Sequence, residues 1–149
     1  VDDLDLARRA LAAGMRWMPG MTMIPVGFER ERWLICWVGT AYVSRDEDSA
    51  TYQECGAYQS SGVKWWGIAN NDDRIDLRDG WVPDLADPAT LGCLEAQVRE
   101  RWGEDAYLKP IFGGGWVVDS RAIAISGQDH PNGLTRVEAL IAALEAPRG

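Results

Sequence analysis

Apolar residues recur along the chain with two periods, one near 3.6 and one near 2, and the changes of period outline the elements. Over residues 3–13, Leu4, Ala7 and Leu11 fall at i, i+3 and i+7. Asp2 and Asp3 suit the positive end of a helix and Gly14 stops the run, so the spacing predicts a helix. Pro19-Gly20 marks a turn, and 21–26 reads as a short edge strand, because Pro25 is tolerated at an edge and not centrally. Alternation is clearest over 32–38. Trp33, Ile35 and Trp37 share one face, and Leu34, Cys36 and Val38 the other. With both faces apolar, this strand is expected mid-sheet and covered on both sides, with Tyr42-Val43 extending it past Gly39. Residues 44–62 read as a long loop or ragged hairpin, 63–68 as a further strand and 70–80 as a polar turn region.

The second half carries the strongest helix signal. Asp87 is an N-cap, Pro88 takes the first helical position, and Leu91, Leu94, Val98 and Trp102 form one stripe that ends at Gly103. Residues 106–112 and 116–119 flank Gly113-Gly114-Gly115, a hairpin signal. Residues 122–126 are expected as a third strand and 128–133 as loop. A capping box, Thr135 with Glu138, opens a last helix, with Leu134 placed to staple against Ala139 and with Val137, Leu140, Ile141 and Leu144 on its buried face. Short connections favour antiparallel pairing. The expected fold is therefore α+β: an antiparallel sheet with about three helices packed on it, a single domain over 1–149.

Composition narrows the function. The 149 residues are 46% apolar and 26% charged, an ordinary globular balance. The formal charge is −8, spread over both halves, which argues against a duplex nucleic acid partner. No apolar run reaches the ~20 residues of a membrane span, and the opening Val1-Asp2-Asp3-Leu4 has no signal-peptide pattern. Cys36, Cys55 and Cys93 include no C-x-x-C, so three reduced, mostly buried thiols in a cytoplasmic protein are expected. The single histidine, His130, lies in a polar stretch and is expected as a solvated loop residue; no G-x-S-x-G accompanies it. Asp72, Asp73, Asp76 and Asp79 lack the spacing of a calcium loop, and Gly113-Gly114-Gly115 lacks the lysine of a phosphate loop. No catalytic residue, metal ligand or cofactor is assigned.

Tryptophan is the informative residue, with eight Trp against two Phe. Trp33, Trp37 and Trp102 fall on core stripes. Trp65 and Trp66 are adjacent in an expected strand and point to opposite faces, so one core accommodates only one of them. Trp66 shares its face with Lys64, and an indole beside a cation suits a flat anionic ligand or an interface hot spot. Trp17 and Trp81 sit beside turns, with Arg74 and Arg78 near in sequence. The candidate binding set is Trp66, Lys64, Trp65, Trp81, Arg74, Arg78 and Trp17.

The segments Arg16-Trp17-Met18-Pro19-Gly20-Met21 and 83–94 (PDLADPATLGCL), continued by Val98-Arg99-Glu100 and Trp102-Gly103, resemble a group of small uncharacterised bacteriophage and prophage proteins. The ending Glu138-Ala139-Leu140 to Glu145-Ala146-Pro147 is also similar. The resemblance covers roughly 40 residues and implies a phage-related origin, with no activity attached. Small accessory phage proteins often bind and block host factors. The expected function is a non-enzymatic accessory binding protein in the host cytoplasm. It would be a counter-defence inhibitor that binds a host protein or sequesters a small anionic or nucleotide ligand. The alternatives are an Asp/Glu-based metal-dependent hydrolase and a homo-oligomeric structural or regulatory phage component.

Overall fold

The structure is a computed structural model and describes residues 2–45, 48–59, 74–78 and 80–147. Within them the elements run α1 (Asp3–Ala12), β1 (Thr22–Pro25), β2 (Trp33–Arg45), β3 (Asp48–Gln59), β4 (Ile75–Asp76), β5 (Trp81–Pro83) and α2 (Pro88–Trp102). There follow β6 (Tyr107–Pro110), β7 (Trp116–Asp119), α3 (Arg121–Ser126), β8 (Asn132–Gly133) and α4 (Arg136–Glu145). Every strand pairing is antiparallel, so the fold is α+β, as the sequence predicts. Among the described residues four helices stand where about three were expected. The chain gathers into two compact units, residues 17–90 and residues 1–16 with 91–149.

The 17–90 unit is built on a five-stranded sheet in the order β4-β3-β2-β1-β5. The strand over 21–26 is not at an edge: β1 pairs with β2 on one side and β5 on the other. Pro25 is tolerated because it is the last residue of β1; the next N–H, from Val26, reaches the Gly80 carbonyl at 2.8 Å. Met23, Ile35, Cys55 and Ala57 are fully buried along one face. The N-cap of α2 forms as expected, with Asp87 Oδ2 accepting from the Thr90 N–H at 3.2 Å and from the Thr22 hydroxyl at 2.9 Å.

β2 is central, yet only part of it is covered. Its register with β3 slips between Ile35, opposite Ala57, and Trp37, opposite Gly56, so Cys36 is the extra residue of a β-bulge. The bulge breaks the alternation read from 32–38. Ile35 stays buried, Cys36 is exposed and Trp37 is 39% exposed where a core position was expected. The Trp37 indole lies over Gly56, where an added Cβ would meet Nε1 at 2.1 Å, and beside Gly39. Residues 44–62 hold the long strand β3, which makes the hairpin alternative the observed one over the described part. The strand expected at 63–68 lies outside the described residues. The expected turn region at 70–80 includes β4.

The second unit is helical, with a three-stranded sheet in the order β6-β7-β8. The expected hairpin forms, joining β6 and β7 through Gly113-Gly114-Gly115, all at positive φ. Residues 122–126 are helix α3 instead of a strand. The Ser120 hydroxyl caps it by accepting from the Ile123 N–H, and Gly127 closes it at φ 73°. The expected loop before α4 contains β8. Leu94, Val98 and Trp102 are buried on the predicted α2 stripe, and the Trp102 Nε1–H donates to the Ala143 carbonyl at 2.8 Å. The buried Gln97 holds Arg16 at both ends of its amide, each bond 2.8 Å. Arg9 pairs with Glu145 at 2.6 Å, tying α1 to α4.

Helix α4 sits directly on β8. A Cβ on Gly133 would meet Glu138 Cβ at 2.4 Å and the Ala139 nitrogen at 2.7 Å. Thr135 caps α4 as predicted, while Glu138 reaches back to the Leu134 N–H at 2.9 Å. Leu134 is exposed, so the expected hydrophobic staple is not made.

The glycines give a paired expectation. Gly56→Ala must displace the Trp37 ring and should cost about 2 kcal/mol or more. Gly92→Ala, in open space on α2, should stabilise by about 0.5–1 kcal/mol. Urea unfolding of both variants checks the two signs; a neutral Gly56→Ala contradicts the seating of Trp37.

Candidate functional site

The β6-β7-β8 sheet has one face under α4 and one open face, and period-two alternation divides its side chains between them. Val118 is buried among Val98, Ala106, Leu108 and Leu140, whereas Tyr107, Lys109, Val117 and Asp119 alternate to the other side. Cross-strand register arranges that open face in rows. Tyr107 lies opposite Asp119, and Lys109, Val117 and Asn132 form the next row. His130 completes the first row. Its Nε2 is 2.9 Å from Asp119 Oδ1, and the Tyr107 hydroxyl is 3.4 Å from Asp119 Oδ2. An ionised carboxylate only accepts, so Nε2–H is the donor and the neutral imidazole keeps Nδ1 as an acceptor. The Asn132 amide donates to the His130 carbonyl at 3.1 Å, fixing the loop that carries the ring.

Lys109, Ile111, Val117, Asp119, His130 and Asn132 line an open cavity of about 390 Å³. Beyond it the hairpin tip carries Phe112, fully exposed, next to Ile111, which is 39% exposed; Tyr107, 50% exposed, stands at the other end of β6. Sequence reasoning left this face out. Its signals were the glycine-rich hairpin joining 106–112 to 116–119 and the presence of a single histidine; the Asp119 partner is separated from His130 by α3 and a loop, so spacing alone does not join them.

The sequence-predicted site residues divide differently. Lys64, Trp65 and Trp66 lie outside the described residues. Trp17 is buried and lines no surface. Trp81 is partly buried and meets Trp33 edge to face, ring centres 6.0 Å apart. Arg74 and Arg78 flank β4, and each is turned onto a carboxylate. Arg74 pairs with the buried Glu54 at 3.0 Å, and Arg78 with Asp76 at 2.7 Å while lying over the Tyr52 ring at 4.1 Å. The Arg78 hydrogen bonds hold the Asp76 carboxyl below its ordinary range; both groups are well exposed, so the pair adds little stability. Among the described residues no group of three or more His, Cys, Asp or Glu is placed to hold a metal ion. No helix among them is long and apolar enough to cross a membrane.

None of the three cysteines forms a disulfide, and Cys36 is exposed instead of buried. Burial, with smaller contributions from Cys36 and Glu54, pushes the Cys55 thiol up to about 12. Comparison with protein-family models, curated proteins and solved structures finds no match for the chain.

The Cys55 shift has a definite sign. The folded state keeps this proton past about pH 8.5, where an unfolded thiol releases it. Its stabilising contribution is therefore full below that pH and is lost as pH rises toward 12. Cys55→Ala should flatten the alkaline decline in stability, and iodoacetamide at pH 8 should modify Cys36 while sparing Cys55 until unfolding. Equal labelling of the two thiols in the folded protein is the contrary result.

Proposed function

We propose that this protein is a non-enzymatic binding protein that docks on a partner protein through the tip of the β6–β7 hairpin. One observation carries this reading: Phe112, one of only two phenylalanines, is fully exposed at the tip, with Ile111 exposed beside it. Aromatic side chains held out on a fixed turn supply large contact area at small entropic cost, which is the physics of an interface hot spot. The three glycines after Phe112 adopt positive φ, a conformation that disfavours other residues, so the turn is specified by backbone geometry. The phage resemblance supports a host protein as the partner and a counter-defence inhibitor as the role, acting in the host cytoplasm. The charge of −8 supports a protein over duplex nucleic acid.

The metal-dependent hydrolase has no supporting cluster among the described residues. The oligomeric reading uses the same apolar tip with a second copy as the occupant, and light scattering across concentration separates it from a monomer.

The test is affinity capture from host lysate with wild type and Phe112→Asp side by side, after matching their melting temperatures. A specific host protein enriched by wild type and lost roughly a hundredfold with Phe112→Asp, a hot-spot-sized effect, is expected. Equal enrichment by the two proteins, or none by either, overturns the proposal.

A further inference from the structure

The cavity beside His130 has the size and charge of a small-molecule site. Its volume of about 390 Å³ falls within the roughly 300–1,000 Å³ of such sites. The walls combine an apolar strip, Ile111 and Val117, with three titratable groups, Lys109, Asp119 and His130. These groups are not equally available. Both Asp119 oxygens already accept, from His130 at 2.9 Å and Tyr107 at 3.4 Å. Lys109 makes no ion pair among the described residues and stands one row away from that carboxylate. The uncommitted charge of the cavity is therefore the ammonium.

We infer that this face binds a small organic carboxylate, its head on Lys109 and its planar or apolar body on Val117 and Ile111. One ammonium matches one negative charge; the Asp119 carboxylate in the adjoining row disfavours a dianion such as a phosphate monoester. The polar row sets orientation: the Asn132 side-chain amide, which gives one N–H to the His130 carbonyl, has a second N–H for the carboxylate head, and the apolar strip accepts the body. This site shares Ile111 with the Phe112 surface, but none of its polar groups lies at the hairpin tip.

The chain's single histidine makes a direct reporter, because its imidazole signals in NMR need no assignment by mutation. The test titrates the full chain with benzoate, benzamide and benzylammonium, three probes of one shape and different charge. Benzoate should move the His130 signals and the 109, 117 and 132 amides saturably, with benzamide at least tenfold weaker and benzylammonium weaker still. Lys109→Gln, at an exposed position, should keep the wild-type melting temperature and lose about tenfold in benzoate affinity. Benzoate without a saturable shift, benzamide equal to benzoate, or Lys109→Gln binding like wild type overturns the inference. Lysate capture by Phe112 is unaffected in each of these cases, so the two proposals fail separately.

Discussion

The contact of helix α4 with the backbone of Gly133 determines which side of the small sheet the protein presents. A side chain at 133 would overlap Glu138 and Ala139, so the helix approaches as closely as two backbones allow. That approach buries Val118 and, through the two-residue period of a strand, turns Val117 and Asp119 the other way. Register then carries the choice across the sheet, bringing Lys109 opposite Val117 and Tyr107 opposite Asp119. Trp102 and Arg9 hold the helix from other directions, one by a buried indole hydrogen bond and one by an ion pair nearer the surface. The buried bond carries more of the load, since exposed pairs contribute at most about 1 kcal/mol.

Much of this architecture was legible where one local rule dominates. The α2 stripe, the caps at Asp87 and Thr135 and the glycine-rich hairpin follow from periodicity and turn chemistry, and each appears where those signals put it. The failures share a cause: tertiary context overrode a local pattern. Alternation over 32–38 cannot announce a bulge at Cys36, because the slip is decided by the partner strand and by Gly56, twenty residues away. Residues 122–126 have strand-like apolar spacing, yet a capping serine before them and a glycine after them favour a short helix. Pro25 suggested an edge, but a proline at the last position of a strand leaves the ladder intact.

The candidate site was less legible than the fold. Tryptophan count directed attention to the 17–90 unit, where Arg74 and Arg78 are engaged by Glu54 and Asp76 and their charge is offset locally. The open face of the other unit has no tryptophan. Its polar row is assembled from β6, β7 and the loop before β8, and only pairing register reveals it. A binding role is supported by two different features of that face, an apolar tip suited to a protein and a partly apolar hollow whose Lys109 suits a small anion. They are adjacent because a single hairpin supplies Phe112 at its end and Lys109 along its strand.

The direct test of the central constraint is Gly133→Ala, followed by thermal unfolding and by the imidazole signals of His130. If α4 is seated on this backbone, the added methyl group must lift the helix. The melting temperature should then fall by several degrees, and the His130 Nε2–H signal should lose the protection given by Asp119. Wild-type stability with an unchanged imidazole would mean that something other than this contact orients the sheet.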